Sequence, residues 1–132
     1  MGKPLLTAIH HVALICSDYP RSRAFYTETL GLPIVHEVYR GARNSWKCDL
    51  LVSPGVQLEL FSFPDPPPRS SRPEAQGLRH LAFSVPDVDA AVAVLDERGG
   101  SCESIRVDEY TGRRFTFFAD PDGLPIELYE AG

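Results

Sequence analysis

The sequence repeats one unit in each half of the chain, and this repeat limits the possible folds more than any other feature. The 23 residues that begin at Ile9, IHHVALICSDYPRSRAFYTETLG, align without a gap with those that begin at Leu78, LRHLAFSVPDVDAAVAVLDERGG. The identical pairs are His11/His80, Ala13/Ala82, Asp18/Asp87, Ala24/Ala93, Glu28/Glu97 and Gly31/Gly100. A chain made of two copies of one supersecondary unit is expected to fold as two similar modules.

Each copy has the pattern of a strand followed by a turn and a helix. Asp87 is a suitable N-cap for the second helix, and Gly99 and Gly100 supply a left-handed stop at its end. The apolar residues of this helix follow the i, i+3, i+4, i+7 rule: Val88, Ala91, Val92 and Leu95. Asp18 and Gly31 provide the same two signals around the first helix.

Three strand candidates follow each helix. They are IVHEVYR, WKCDLLV and VQLELFSF in the first half, and SCESIRVDE, RRFTFFAD and LPIELYE in the second. The predicted fold class is therefore α+β, with two βαβββ modules that form a curved mixed sheet. We expect a single domain over residues 1–132, with module 1 at about 7–63, a proline-rich connector at 64–77 and module 2 at about 78–130.

Composition narrows the class of protein. The net charge of -5 and the absence of a Lys/Arg cluster argue against nucleic-acid binding. No apolar run approaches the roughly 20 residues of a membrane span, so we expect a cytoplasmic protein. The cysteines, Cys16, Cys48 and Cys102, lack a CxxC pair, and we expect buried or inert thiols.

Four polar residues recur at equivalent places in strands that are otherwise apolar. They are His11 and His80 on the first strand of each copy, and Glu59 and Glu127 on the last. Side chains alternate between the two faces of a strand, so the large apolar residues of each first strand pack against the helix. Both histidines then share the other face with small residues such as Ala13 and Ala82.

Two histidines and two glutamates on the face away from the helices predict a divalent metal site. Imidazole and carboxylate suit zinc, nickel, iron, cobalt or manganese, and two carboxylates offset the charge of the ion. Unpaired burial of two glutamates costs several kcal/mol each, roughly, so a cation is expected beside them. Strand parity turns His10 to the helix side, as a strand-end residue that reaches solvent or makes a structural hydrogen bond.

Several stretches resemble signatures of one protein family. HHVAL, AFYTETLGL, GLRHLAFSVPDVDAAV and DPDGLPIELYE are similar to those of the vicinal oxygen chelate superfamily, which includes glyoxalase I, methylmalonyl-CoA epimerase, extradiol dioxygenases and fosfomycin and bleomycin resistance proteins. EVYR, SWKCDL, ELFSFP, SRPEA and IRVDEYTGRRFTFF resemble a small bacterial group related to lactoylglutathione lyase. The resemblance covers about residues 9–130 and maps the family's metal ligands onto His11, Glu59, His80 and Glu127.

The resemblance also implies an activity and a cofactor. In the glyoxalase branch one divalent metal per site, most often zinc or nickel, holds two adjacent substrate oxygens and stabilises an enediolate. A metal-site glutamate moves a proton between adjacent carbons. We therefore expect a metal-dependent lyase or isomerase in a metal-centred cavity, with Glu127 as the proton shuttle and Glu59 as ligand or second base.

Basic and aromatic residues in VYRGARNSWKCD are candidates for substrate binding. Arginine and lysine beside aromatic rings suit an anionic substrate or a thiol conjugate, although a solvated charged loop is an equal alternative. The candidates are Tyr39, Arg43, Trp46 and Lys47, together with Phe61, which shares the strand face of Glu59. A second basic group consists of Arg106, Arg113 and Arg114. We expect at most one of these arginines to enter the site.

Three other functions use the same fold. A fosfomycin-type thiol transferase typically has two histidines and one glutamate, and an extradiol dioxygenase needs a two-histidine, one-carboxylate face. A metal-free binding protein of the bleomycin-resistance kind does not need all four ligands. The family resemblance also implies a homodimer, and the sequence leaves open whether one metal is held within a chain or across two.

Overall fold

The computed structural model describes residues 2–131 and contains two modules of the same design. The first comprises β1 (His11–Cys16), α1 (Tyr19–Ala24), a π-helical turn (Phe25–Thr29), β2 (Ile34–Arg40), a 3-10 turn (Gly41–Arg43), β3 (Ser45–Ser53) and β4 (Val56–Ser62). The second comprises β5 (Leu81–Val85), α2 (Val88–Glu97), β6 (Arg106–Val107), β7 (Arg114–Ala119) and β8 (Pro125–Glu130). The predicted α+β fold of two βαβββ modules is confirmed.

Each module has its own four-stranded mixed sheet. The strand orders are β1-β4-β3-β2 and β5-β8-β7-β6, and the first strand of each module runs parallel to the last. No ladder joins the two sheets within residues 2–131. The strands β1 and β5 are therefore sheet edges that carry unpaired backbone groups.

The two helices begin and end at the residues that the sequence indicates. The side chain of Asp18 accepts a hydrogen bond from the Arg21 amide, and that of Asp87 accepts one from the Ala90 amide. These bonds satisfy amides that have no partner inside the helix. After the helices, Gly31 and Gly99 have positive φ angles of 74° and 84°, which glycine adopts without steric cost.

Strand parity separates a packed face from an open face in both sheets. Val12 and Leu14 in β1 and Phe83 in β5 pack against the core. The core is built around large, fully buried side chains, which include Tyr26, Leu50, Leu58, Leu60, Val88 and Ile126. The open face of each sheet has no helix over it, and the polar residues of the repeat lie on this face.

The second strand of module 2 is shorter than predicted. The sequence favoured a strand over SCESIRVDE, but only Arg106–Val107 pairs with β7. Near residue 103 the pairing is irregular, because the Glu103 amide donates to the Phe117 carbonyl while the Thr116 hydroxyl donates to the Glu103 carbonyl. A side-chain hydroxyl thus takes the place of a ladder hydrogen bond at this edge.

The turn between β7 and β8 fastens module 2 to module 1. Asp120 accepts hydrogen bonds from the amides of Asp122 and Leu124, and its other oxygen accepts one from the buried Tyr26 hydroxyl at 2.7 Å. Burial and the nearby Asp120 carboxylate raise the pKa of Tyr26 above its usual range, so its hydroxyl remains a donor. The Ser17 amide donates to Asp122 at 3.1 Å.

The structure bears on two predictions from the sequence: that the three cysteines are buried or inert, and that no apolar run is long enough to span a membrane. Burial raises the pKa of the Cys16 thiol to about 11 and also raises those of Cys48 and Cys102, so all three remain protonated at neutral pH. Among residues 2–131, none of the helices combines the length and apolarity required to cross a membrane.

Candidate functional site

His80 and Glu127 form a pair on the open face of module 2. His80 lies directly before β5, and Glu127 lies in the parallel neighbour β8, opposite Ala82. The two side chains approach to 3.0 Å between His80 Nε2 and Glu127 Oε1. The Glu127 side chain is only 14% exposed, so its carboxylate is largely removed from bulk water.

His11 and Glu59 form the equivalent pair in module 1. His11 is the first residue of β1, and Glu59 lies in the parallel neighbour β4, opposite Ala13. The distance from His11 Nδ1 to Glu59 Oε2 is 3.5 Å, and the Glu59 side chain is 15% exposed. The repeat therefore gives each module one half-site, which consists of one imidazole and one mostly buried carboxylate.

Charged residues surround the half-site of module 1. Asp49 lies directly opposite Glu59 in the antiparallel strand β3. Lys47 Nζ is 2.6 Å from Asp49 Oδ1 and 3.9 Å from Glu59 Oε1, so a cation of the protein lies close to both carboxylates. His36 Nδ1 is 4.0 Å from Asp49 Oδ2 and extends this group of charges.

Aromatic residues surround the half-site of module 2. Phe117 takes the place opposite Glu127 that Asp49 takes opposite Glu59. The ring of His80 lies edge-on to Phe117 with the centroids 5.0 Å apart. In the part of the chain that the structure describes, His80 is the only ion-pair partner of Glu127.

The two half-sites have the chemistry that a divalent ion requires. Their donors are imidazole nitrogens and carboxylate oxygens, the groups that bind zinc and nickel. Both glutamates are mostly buried, and the attraction of a cation offsets the cost of burying them. Within one chain, however, residues 2–131 contain no group of three or more His, Cys, Asp or Glu side chains placed so that they could hold a metal ion together, so a half-site supplies two ligands.

His10 contacts the predicted ligand next to it. Its Nδ1 lies 2.9 Å from His11 Nδ1, and the two rings are nearly perpendicular with centroids 5.2 Å apart. One nitrogen donates and the other accepts, so this bond restricts the orientation of the His11 ring. His10 thus makes a structural hydrogen bond, as expected, but its partner is His11 itself and not a group on the helix side to which strand parity assigned it.

A cavity of about 760 Å³ opens over module 2 beside His80. The connector forms one of its walls and contributes Arg69 and Arg72. Arg79 and Arg106 line it as well, together with Phe115 and Phe117. Sequence reasoning treated the connector only as a linker and missed these arginines, although the run RSSR so close to His80 is a basic signal in an acidic chain.

The predicted substrate residues of module 1 separate onto different surfaces. Lys47 and Phe61 lie on the open face with Glu59, since they pair with each other two residues along the strands from the Asp49/Glu59 pair. Trp46 lies on the opposite face, where it stacks on Tyr19 at 5.3 Å and meets the edge of Tyr39. Adjacent strand residues point in opposite directions, so Trp46 and Lys47 cannot line one pocket of the same chain.

The remaining basic candidates also take different positions. Arg43 lies exposed in the 3-10 turn after β2, and its substrate role stays a prediction. Arg106 lines the cavity beside His80, whereas Arg114 pairs with Asp89 of α2 and Arg113 is exposed in the turn before β7. Arg106 is therefore the one of these three arginines that lines the cavity. The sequence predicted that at most one of them would enter the site.

Comparison with known proteins gives the same family over nearly the whole chain. Residues 8–128 match the profile of the Glyoxalase/Bleomycin resistance protein/Dioxygenase superfamily. The uncharacterized protein YaeR of Escherichia coli is 62% identical over 125 residues, which cover 95% of this chain and 97% of YaeR. The 2-epi-5-epi-valiolone epimerase of an Actinomyces species is 32% identical, with 96% of this chain and 81% of the epimerase covered.

Solved structures show the same architecture. A glyoxalase family protein from Enterococcus faecalis superimposes with a TM-score of 0.89 at 45% identity. The match covers 96% of this chain and all of that protein. The two βαβββ modules described above are therefore those of the glyoxalase family.

Proposed function

This chain belongs to the Glyoxalase/Bleomycin resistance protein/Dioxygenase superfamily, and we propose that within it the protein is a metal-dependent lyase or isomerase of glyoxalase type. The substrate is a small molecule with two adjacent oxygens. One observation carries the proposal: the repeat presents a His–Glu pair on the open face of both sheets, at distances of 3.5 and 3.0 Å. Together the two pairs make a set of two imidazoles and two carboxylates, which suits zinc or nickel.

The residues of the chain divide the chemistry among them. A bound divalent cation supplies Lewis acidity to the paired oxygens of the substrate, which makes the neighbouring C–H bond more acidic. His11, Glu59, His80 and Glu127 hold the ion. Glu127 also accepts the carbon-bound proton and returns it, because its carboxylate is mostly buried and has no lysine or arginine partner in the described part of the chain. The relative named as an epimerase supports proton transfer at carbon as the type of reaction.

The site is completed by a second copy of the chain. The accessible surface is 8933 Å², whereas a compact monomer of this mass has about 6900 Å². The excess, about 2000 Å², is of the order that a stable protein interface buries. Exposed apolar residues support this, because Ile9 and Ile15 at the β1 edge and Leu78 before β5 are 65%, 59% and 80% exposed. A dimer that joins module 1 of one chain to module 2 of its partner brings four ligands to one ion.

Two measurements test the proposed function in order. Protein purified without chelator or affinity tag is first titrated with nickel or zinc, and we expect one ion for each pair of half-sites. Binding of less than about a tenth of an equivalent would contradict the metal site. Metal-loaded protein is then assayed on the methylglyoxal–glutathione hemithioacetal, with Glu127→Gln as the control. Turnover that Glu127→Gln removes supports a lactoylglutathione lyase activity, and its absence from the wild type directs the search to other substrates with adjacent oxygens.

A further inference from the structure

The cavity beside His80 has a positive lining in a chain whose net charge is -5. Its four arginines face two glutamates, and each glutamate pairs with one of them. Arg79 Nη2 is 3.5 Å from Glu74, and Arg106 Nη2 is 3.2 Å from Glu103. Among the described residues Arg69 and Arg72 have no carboxylate partner, so the cavity keeps an excess of positive charge.

Arg106 is the arginine whose position is best defined. Its guanidinium carbon lies 5.0 Å from the ring centroid of Phe115 and 5.7 Å from that of Phe117. Contact with two rings restricts the plane of the guanidinium and leaves N–H groups at its edge for another acceptor. A planar group held in this way is suited to bind a carboxylate through two parallel hydrogen bonds.

Phe117 connects this arginine to the half-site of module 2. One side of the ring contacts Arg106, the His80 ring lies against it at 5.0 Å, and Glu127 is its direct cross-strand neighbour. A small molecule that places two oxygens near His80 and Glu127 therefore has an arginine within reach of its other end. The aromatic surface of Phe117 lies between the two points and suits an apolar or planar middle section.

From this arrangement we propose that the substrate is an organic acid, whose carboxylate is bound by Arg106 with the support of Arg69 and Arg72. The two adjacent oxygens lie at one end of the molecule and the carboxylate at the other. The position of the oxygens rests on the proposed function, whereas the carboxylate subsite rests only on the arginines and phenylalanines of the cavity. The connector then has a second role, because it supplies part of the charge that selects the substrate.

Matched acids and amides provide a direct test. The probes are protocatechuate, homoprotocatechuate and dihydrocaffeate, three catechols in which the carboxylate lies successively farther from two adjacent oxygens, and their primary amides. Binding is measured by calorimetry on zinc-loaded and zinc-free wild-type protein. We expect at least one acid to bind about tenfold more tightly than its own amide, since the amide has no negative charge and replaces one of the two acceptor oxygens with an NH2 donor.

Variants of Arg106 identify the group that recognises the acid. We expect Arg106→Ala to remove most of the preference for the acid over the amide, with a small remainder from Arg69 and Arg72, and Arg106→Lys to keep a larger part of it. Arg113→Ala is the matched control, because this arginine is exposed in the turn before β7 and does not line the cavity. Thermal unfolding of the three variants checks that the fold is kept.

The outcomes separate this inference from the proposed function. Equal binding of acid and amide by the wild type for all three lengths would overturn the carboxylate subsite, and so would a preference that Arg106→Ala leaves as large as in the wild type. Failure to bind zinc, titrated without any organic probe, would instead overturn the proposed function. The acid-to-amide ratio of the zinc-free protein then still reports on the carboxylate subsite alone.

Discussion

The two halves of the chain carry the same pair of side chains at the same strand positions, but they surround this pair with different neighbours. Glu59 in module 1 faces Asp49 and lies 3.9 Å from the Lys47 ammonium group. Glu127 in module 2 faces the ring of Phe117. The predicted ligands follow the repeat, whereas the residues around them differ in charge and in polarity.

Glu59 and Glu127 occupy equivalent positions in the repeat, but their different surroundings suit them to different roles. A carboxylate beside a lysine already has a positive partner in the protein, so it is less available to a substrate proton. A carboxylate beside a phenylalanine ring lacks that neutralisation, so a bound metal or a substrate proton interacts with it more strongly. We therefore assign proton transfer to Glu127 and metal binding alone to Glu59.

Replacing each glutamate by glutamine tests this assignment with the largest expected effect. We expect Glu127→Gln to lower kcat by about 10²–10⁴-fold at saturating metal, because the amide cannot accept the proton. Glu59→Gln should mainly weaken metal binding, by about 10–100-fold, and recover much of its kcat when metal is added. The measurement is turnover of any substrate of the wild type over a range of metal concentrations. A larger loss of kcat in Glu59→Gln would reverse the assignment.

The two adjacent histidines provide the next contrast. His11→Ala should lower metal affinity by about 100-fold or more, because it removes one of four ligands. His10→Ala is the control and should change the affinity only severalfold, since His10 contacts the metal site through His11. Metal titration by calorimetry measures both. If His10→Ala lost the metal and His11→Ala kept it, strand parity would be the wrong guide to the ligand.

The two modules are connected by a hydrogen bond for which only module 1 has the hydroxyl group. Tyr26 of module 1 bonds to Asp120 of module 2, whereas Leu95, the repeat equivalent of Tyr26, has no such group. Tyr26→Phe leaves a partly buried carboxylate oxygen of Asp120 without its donor, so we expect a loss of about 1.5–3 kcal/mol in the free energy of unfolding. Chemical denaturation measures this loss. Tyr110→Phe, at a tyrosine that is 90% exposed, should have no effect, and an equal effect of the two changes would contradict the role of the bond.

Each module also has one arginine–carboxylate pair between its helix and its sheet. Arg23 donates to Glu37 at 2.7 and 3.0 Å, and the Tyr19 hydroxyl donates to the same carboxylate, whereas Arg114 and Asp89 form an exposed pair. We expect Glu37→Gln to cost about 1 kcal/mol of unfolding free energy at pH 7. Asp89→Asn should cost nothing measurable, because exposed ion pairs contribute little.

The pH dependence of the Glu37 pair sharpens this contrast. Hydrogen bonds from Arg23 and Tyr19 lower the pKa of the Glu37 carboxyl below its usual range. The stabilisation is therefore present above the usual carboxyl pKa and is lost as the pH falls through the lowered value. Unfolding curves of the wild type and Glu37→Gln should converge in acid. A difference that stays constant down to pH 2, roughly, would show that the pair does not depend on the charge of Glu37.

The parts of the fold that were predictable from the sequence depend on local signals. Asp18 and Asp87 cap their helices because capping needs only a side chain and the next few amides. The face shared by His11 and Glu59 follows from the alternation of strand residues and from the repeat. The same alternation separates Trp46 from Lys47, and the structure shows the two on opposite faces.

Other features depend on packing between segments that are distant in the sequence. The positions of Arg69 and Arg72 follow from the path of the connector over module 2, and a run of prolines indicates only that this path is extended. The bond between Tyr26 and Asp120 joins residues of different modules. Its energy comes from burial, which a strand or helix pattern does not report.

A mixture of two inactive variants tests most directly whether the two half-sites meet across a dimer. In that arrangement His11→Ala and His80→Ala each lose the metal, but a mixed dimer regains one intact site from the unchanged module of each chain. After subunits are exchanged by mild denaturation and refolding, we expect the mixture to bind about a quarter of the wild-type metal, the statistical value for random pairing. A mixture that binds no more metal than either variant alone, after exchange has been verified, would contradict the shared site.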